Sequence, residues 1–190
     1  MDPGILRLKL AEAALEHSPF PTHALFEAFR SPEGILEASP SALRRVVGPH
    51  PGTLEALLSL GDDPPRTVGL DGLKEGGLQL VSFEDPTYPE NLREIPDPPP
   101  VLLLRGRLTP EDRSAVAVIG SRRASAYGLA VCERLVHDLV EHGFTIVSGM
   151  ARGVDGAAHW AALSRRGRTL AVLEGPMNIL PSLSSFSPGA

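Results

Sequence analysis

Residues 115–173 read AVAVIGSRRASAYGLAVCERLVHDLVEHGFTIVSGMARGVDGAAHWAALSRRGRTLAVL, and short apolar runs alternate there with segments of helical periodicity. The runs have the length of strands that are buried on both faces of a parallel sheet. They are Val116–Ile119, Thr145–Val147 and Thr169–Leu173. The segments between them, about 126–141 and 154–164, each end near a glycine suited to a helix C-terminus, Gly143 and Gly167. Two consecutive βαβ crossovers predict an α/β fold with a doubly wound parallel sheet.

The loop that follows the first predicted strand, GSRRAS, has the composition of an anion site. Gly120 permits a tight exit from the strand, and Ser121 and Ser125 offer hydroxyl and capping contacts. Arg122 and Arg123 bring two permanent positive charges to a helix N-terminus, which itself attracts anions. We predict that Gly120, Ser121, Arg122 and Arg123 bind phosphate. The alternative is an ordinary turn whose arginines face solvent.

The loop after the second predicted strand, SGMARGVDG, offers a phosphate cradle. Its glycines at 149, 153 and 156 free backbone N–H groups for close approach to a ligand, and the following helix adds its dipole. The glycine spacing matches neither the G-x-G-x-x-G dinucleotide fingerprint nor the G-x-x-x-x-G-K-[ST] phosphate loop, which argues against both. The residues predicted to bind phosphate here are Ser148, Gly149, Arg152, Gly153 and Asp155.

The sequence contains no pattern that indicates catalysis. Asp155 and His159 lie four residues apart on one helix face, but capping explains an aspartate in a first turn, and packing explains a lone histidine. Neither a nucleophile elbow nor a cluster of metal ligands occurs, so we predict no catalytic residue, no metal and no cofactor. Tyr127 and Trp160 are predicted to pack in the core, with stacking on nucleic-acid bases as the alternative.

Charge is distributed unevenly along the chain. Residues 1–100 carry 8 basic and 16 acidic side chains, a net charge of -8, whereas residues 101–190 carry 10 basic and 7 acidic ones, a net charge of +3. All ten of those basic residues are arginines, which suit forked phosphate contacts and stacking on bases. The second half is therefore predicted to bind the partner.

The first half has the periodicity of several short helices. Ser31 precedes Pro32, and Ser39 precedes Pro40, which predicts a capping residue followed by proline at a first helical position. We predict a helical domain over residues 1–65, similar to helix-hairpin-helix or sterile-alpha-motif domains. It is either a scaffold without a ligand or a module that docks a protein partner.

Composition also predicts the remaining organisation. A linker at 66–77 precedes a second domain at 78–175, within which the proline-rich residues 85–100 are predicted to run in extended form across a surface. Residues 176–190 have the composition of a disordered tail.

The single cysteine, Cys132, lies in an apolar-periodic segment and is predicted to act as a small hydrophobe. No stretch approaches the roughly 20 apolar residues that span a bilayer, and no signal peptide is apparent, so we predict a cytoplasmic protein.

Taken together, these segments resemble the DNA-processing protein A family, DprA/Smf, over about residues 78–173. The residues that carry the resemblance are Tyr88-Pro89, Ile95-Pro96-Asp97-Pro98-Pro99, Val118-Ile119-Gly120-Ser121-Arg122, Tyr127-Gly128, Ser148 through Asp155, Ala158-His159 and Gly167-Arg168-Thr169. The resemblance ends after Leu173, which suggests a chain shortened at its C-terminus and a sheet that is incomplete on that side.

The resemblance implies a Rossmann-like domain that binds single-stranded DNA in natural transformation, protects it and helps load the RecA recombinase, without catalytic turnover. It also implies a homodimer in the full-length family, and a basic pocket for the DNA backbone lined by the two loops. The alternative of a different class is a phosphoribohydrolase-like nucleotide-processing enzyme. Such an enzyme needs a carboxylate beside the phosphate, and Asp155 is the candidate.

Overall fold

The computed structural model describes residues 2–61 and 77–173. By its internal contacts the chain divides into two compact units, Met1–Leu108 and Thr109–Ala190. The first unit contains α1 (Pro3–Glu16), α2 (Thr22–Phe29), α3 (Pro32–Glu37), α4 (Pro40–Val47), α5 (Pro51–Leu58), β1 (Leu78–Ser82), α6 (Glu90–Arg93) and β2 (Val101–Arg105). The second contains a 3₁₀ turn (Pro110–Arg113), β3 (Ala115–Ala117), α7 (Ala126–Glu141), β4 (Thr145–Ser148), α8 (Val154–Ser164) and β5 (Thr169–Ala171). None of these helices is long and apolar enough to cross a membrane.

The short helices of the first unit begin where the sequence provides caps. The Ser31 hydroxyl accepts a hydrogen bond from the Gly34 N–H at 3.1 Å, and the Ser39 hydroxyl accepts one from the Ala42 N–H at 3.3 Å. A proline occupies the first position of α3 and of α4, which confirms both predicted helix starts. The helices bury one apolar cluster, whose most enclosed members are Leu6, Leu10, Leu25, Ile35, Leu43 and Leu57.

The strands β1 and β2 complete this helical core. They pair antiparallel, with Leu80 opposite Leu103. Val81, Phe83 and Val101 are buried in the same apolar cluster as the helices. The hairpin therefore belongs to the first unit and takes no part in the parallel sheet.

The units consequently divide at a different place from the one predicted. The sequence suggested a helical domain at 1–65 and a linker at 66–77, whereas the compact units meet after Leu108. The physical reason is that an isolated two-stranded hairpin needs an apolar surface to pack on, and the helices provide it. Residues 62–76 and the predicted tail at 176–190 lie outside the described residues.

Polar contacts anchor the proline-rich segment between β1 and β2 to the helices. The Asp97 carboxylate accepts hydrogen bonds from the Phe20 N–H at 2.9 Å and from the Ser18 hydroxyl at 3.2 Å. The Thr22 hydroxyl donates to the Pro98 carbonyl at 2.6 Å. The acceptors thus lie beside the prolines of this segment, and the donors lie in the connection between α1 and α2 and at the start of α2.

One turn of helix, α6, interrupts this segment, so the prediction that it is extended throughout is wrong. Pro89 directly precedes α6, and proline is tolerated there because the N–H groups of a first turn lack helical partners. In α6 the Arg93 guanidinium lies 5.0 Å from the ring centroid of Phe83 and 5.2 Å from that of Tyr88. It also donates to the carbonyls of Phe83 and Asp85, so α6 fastens the segment to the end of β1.

The second unit is a parallel sheet in the order β3, β4, β5. Val116 lies opposite Ile146, and Ile146 opposite Thr169. The helices α7 and α8 pack against each other and bury Ile146 between themselves and the sheet. The predicted α/β class, with a parallel sheet after a helical part, is confirmed. Both helices cover the same face, and residues 109–173, the described part of this unit, contain no helix on the second face, which a doubly wound sheet requires.

The two helices end at the predicted residues, but the predicted capping glycine is found only after α7. Gly143 after α7 has the positive φ, 81°, expected of a glycine in that position. After α8 the left-handed residue is Arg166, with φ 55°, so the cap role predicted for Gly167 is wrong. A Cβ on Gly167 would lie 2.5 Å from Cγ1 of Val140, and glycine is therefore required there for close packing on α7.

A partly buried ion pair joins the 3₁₀ turn to the start of β5. The Asp112 carboxylate accepts hydrogen bonds from Nε of Arg168 at 2.5 Å and from Nη2 at 2.7 Å. It also accepts from the Thr109 N–H at 2.8 Å and the Thr145 hydroxyl at 3.2 Å. Burial alone would raise the pKa of Asp112, but these donors and the charge of Arg168 hold the pKa below its usual value.

Acid is expected to weaken this ion pair. Because the pKa of Asp112 is lower in the folded chain, its contribution is complete above the ordinary carboxyl pKa of 3.8 and is lost as the pH falls below that value. We expect Asp112→Asn to lower the free energy of unfolding by about 1–2 kcal/mol at neutral pH, and by less near pH 2. Urea unfolding at both pH values measures this. An equal loss at both pH values would show that the charge of Asp112 contributes nothing.

Candidate functional site

The two glycine- and arginine-bearing loops lie against each other at the C-terminal ends of β3 and β4. The Val154 N–H donates to the Ser121 carbonyl at 3.2 Å, which links the start of α8 to the first loop. The Ser148 hydroxyl donates to the Val118 carbonyl at 2.7 Å, which links the strands just before the loops begin. The sequence predicts this neighbourhood because ligand loops of open parallel sheets share that edge.

The glycines allow the loops to touch. A Cβ on Gly120 would lie 2.6 Å from Cγ2 of Val154, and one on Gly153 would lie 2.2 Å from the Ser121 carbonyl oxygen. Both distances are too short for any real side chain, so these positions require glycine. Gly156 donates its N–H to the Ala151 carbonyl at 3.0 Å, so the prediction that this N–H is free for a ligand is wrong.

The three loop arginines point their charge outward. Arg122, Arg123 and Arg152 are all exposed, and none forms an ion pair with another residue of the described ranges. Guanidinium groups in this situation carry full positive charge without internal compensation. Together they place three positive charges on the two loops at this edge of the sheet.

The serines of the site differ in what they offer to a ligand. Ser121 is exposed, and its hydroxyl accepts a hydrogen bond from the Arg123 N–H at 3.0 Å. Ser125 caps α7 by accepting from the Gly128 N–H at 3.1 Å, as predicted. Ser148 is buried and its hydroxyl donates to the Val118 carbonyl just after β3, so its side chain links the two loops and is not exposed to a ligand.

Beneath the loops lies a group of buried polar side chains. Asp155 is only 6% exposed, and its Oδ1 accepts a hydrogen bond from the Gly120 N–H at 3.4 Å. His159, one turn later, pairs Nδ1 with the Thr169 hydroxyl at 2.7 Å. Burial lowers the pKa of His159, and the Asp155 charge and the Ser148 backbone only partly oppose this. The prediction that His159 is a packed residue is thus confirmed.

Cys132 is expected to be a poor nucleophile. Burial chiefly, with the charges of Asp155 and Glu133, raises the pKa of its thiol, and the sulfur contacts the Val154 carbonyl at 3.7 Å. We expect a thiol reagent to modify Cys132 at least about tenfold more slowly in the folded chain than in denaturant. Ellman's reagent measures both rates, and equal rates would show that the thiol is accessible. Its burial confirms the predicted role as a small hydrophobe.

The aromatic residues of this unit depart from the sequence prediction. Tyr127, in the first turn of α7, is 80% exposed rather than packed in the core. Trp160 is 36% exposed, so it is only partly buried. The exposure of Tyr127 could not be predicted from its position in a helix. The side of α7 that carries Tyr127 also carries two apolar residues, Val131 and Leu135, and both are exposed as well.

Two residues that shape the site were missed in the sequence. Val154 occupies the space that a side chain on Gly120 would need, and Met150 adopts a left-handed φ of 56° inside the second loop. Val154 could have been noticed in the sequence, because it is an apolar residue in the first helical turn after a glycine-rich loop. Nothing in the sequence marks Met150, because left-handed φ values are uncommon for such residues.

Comparison with known proteins places this architecture in a family. The family described as DNA recombination-mediator protein A matches residues 79–185, so the prediction that the resemblance ends after Leu173 is wrong. Protein Smf of Synechocystis sp. is 35% identical over 153 residues, which cover 78% of this chain and 38% of that protein. DNA processing protein DprA of Bacillus subtilis is 35% identical over 112 residues, 58% of this chain and 37% of that protein.

A solved structure agrees. The X-ray structure of DNA processing protein A from Streptococcus pneumoniae superposes with a TM-score of 0.62 at 26% identity, covering 91% of this chain and 57% of that one. The chain spans about two fifths of the length of the Synechocystis and Bacillus relatives. The fold, the two loops and the sequence matches all lead to one assignment: the chain belongs to the DNA recombination-mediator protein A family, DprA/Smf.

Proposed function

We propose that this chain binds single-stranded DNA through the phosphate backbone, at the paired loops of the second unit. The observation that carries the proposal is the outward display of Arg122, Arg123 and Arg152 on two loops that touch each other. Exposed guanidinium groups without internal partners bind phosphates in forked geometry. Contacts of this kind position a strand without reading its sequence.

Membership of the family supports the choice of DNA over other polyanions. The relatives are named DNA processing proteins, and the family is described as a recombination mediator. Proteins that bind single strands without sequence preference place positive charge along the strand's backbone, and the three exposed loop arginines supply such charge here. We extend the proposal to protection of the strand and to loading of RecA, within the cytoplasm and without catalytic turnover.

Fluorescence anisotropy tests the binding step. A labelled single-stranded oligonucleotide and its duplex are titrated with the chain at two salt concentrations. The proposal expects tighter binding of the single strand and an affinity that falls steeply with salt, because bound phosphates release counterions. Equal binding of duplex and single strand, or salt-independent binding, would contradict it. Circular dichroism on the same samples confirms that the chain is folded.

Loading of RecA needs a separate measurement. RecA hydrolyses ATP on single-stranded DNA, so its ATPase rate on DNA coated with a single-strand-binding protein reports loading. The proposal expects this chain to increase the rate when DNA, RecA and the chain are all present. If the ATPase rate is unchanged although the chain binds DNA normally, the proposed loading of RecA is wrong and only the proposed DNA binding stands. Size-exclusion chromatography with light scattering tests whether this chain forms the homodimer that the resemblance implies for the full-length family.

The enzymatic alternative needs a carboxylate that reaches the substrate. Asp155, its candidate, is buried and directed at the Gly120 N–H, which does not favour that role. A nucleotide-hydrolysing site also needs space beside that carboxylate, and Val154 fills the space next to Gly120. Release of free base from nucleoside monophosphates by the wild-type chain would nevertheless overturn the non-enzymatic proposal.

A further inference from the structure

The Asp155 carboxylate lies between the two loops and not on their outer surface. Its Oδ1 accepts the hydrogen bond from the Gly120 N–H in the first loop. Its Oδ2 lies 3.0 Å from the position that a Cβ would take on Gly149, so the second loop also packs directly on it. One buried side chain therefore contacts the backbone of both loops.

A negative charge at this place works against phosphate binding. Like charges repel, and the repulsion is stronger where water is largely excluded, as it is around a residue that is 6% exposed. Direct contact between this carboxylate and a DNA phosphate is unfavourable for the same reason. The same carboxylate also accepts the Gly120 N–H, however, and such a hydrogen bond fixes the N–H in place whether its acceptor is a carboxylate or an amide oxygen.

We propose that Asp155 is a positioning residue, which holds the loops in the arrangement that presents Arg122 and Arg152 on one edge. It does so through Gly120 and Gly149 and does not itself contact DNA. This inference rests on the proposed DNA binding. It replaces the role of phosphate ligand that the sequence suggested for Asp155.

A pair of variants with the same charge separates positioning from electrostatics. Asp155→Asn and Asp155→Ala each remove one negative charge, but only asparagine keeps an oxygen that can accept from the Gly120 N–H. The positioning role predicts that Asp155→Ala binds single-stranded DNA about tenfold more weakly than the wild-type chain, although its net charge is less negative. Asp155→Asn is expected to retain affinity within about threefold of wild type.

The control variant is Asp138→Ala. Asp138 is an exposed residue of α7, so its replacement changes the net charge equally without touching the loops. We expect its DNA affinity to be unchanged or slightly higher. If Asp155→Ala and Asp155→Asn both bind more tightly than wild type and by the same factor, Asp155 acts through its charge alone and the proposal is wrong.

A second measurement does not depend on DNA. Amide hydrogen exchange at Gly120 should be at least about tenfold faster in Asp155→Ala than in wild type, and should be close to wild type in Asp155→Asn. Unchanged exchange in Asp155→Ala overturns the positioning role even if DNA binds. If the wild-type chain binds no DNA, the proposed function fails, while the exchange rates still decide what Asp155 does. Should Asp155→Ala fail to fold, Asp155→Ser, whose hydroxyl is too short to reach Gly120, takes its place.

Discussion

Replacing Gly153 by alanine is expected to destabilise the second unit by about 3–5 kcal/mol and to abolish DNA binding. Two effects add. The backbone at Gly153 has φ 80° and ψ -127°, a conformation that residues with a side chain avoid. The new Cβ would also meet the Ser121 carbonyl oxygen at 2.2 Å, and that oxygen belongs to the backbone and cannot turn aside. The loops must separate to admit the methyl group.

Gly143→Ala is the control for the positive φ. Gly143 has almost the same φ, 81°, but nothing lies within 4 Å of a Cβ there, so its replacement should cost only about 1–2 kcal/mol. The single tryptophan of the chain, Trp160, lies in the second unit, and its fluorescence during urea unfolding reports on that unit for both variants. Equal losses of stability in the two variants would show that the contact with Ser121 is unimportant.

Removal of two arginines, one from each loop, should have the largest effect on binding without unfolding the chain. Arg122→Ala combined with Arg152→Ala is expected to weaken single-strand binding on the order of 100-fold at low salt. Each lost phosphate contact also lowers the slope of log affinity against log salt by about 0.7, so the slope should fall by about 1.4. Both residues are exposed, and stability should therefore change by less than about 0.5 kcal/mol.

The matched control removes two arginines elsewhere. Arg105 ends β2 and Arg134 lies in α7, and both are exposed, so the double variant Arg105→Ala, Arg134→Ala has the same net charge. Anisotropy titrations at several salt concentrations give affinity and slope for both double variants. If the two lose affinity equally, the effect comes from overall charge and the loops have no special part in binding.

The parallel sheet could be predicted because its determinants are local. Apolar runs of strand length alternate with helical periodicity, and this pattern identified α7 and α8 with the ends that the structure has. Caps at Ser31, Ser39 and Ser125 were predictable for the same reason, since a cap depends on residues three positions apart.

The contacts between distant residues were not predictable in this way. The sequence shows glycines at 120 and 153, but only the fold shows that Val154 and Ser121 occupy the space where their side chains would be. Likewise, the composition of β1 and β2 does not show which unit they belong to. Their packing against the helices shows that they belong to the first unit. Periodicity describes which face of an element is apolar and leaves open what covers that face.

The membership of the β1–β2 hairpin in the first unit has a practical consequence for protein engineering. Chimaeras that exchange the helical part between relatives are usually joined where the composition suggests a linker, which here is near Gly77. A junction there would pair the helices of one parent with the hairpin of another, and Val81, Phe83 and Val101 would meet a foreign core. Junctions placed after Leu108 keep the hairpin, the proline-rich segment and the helices from one parent and transfer them as a single inherited module.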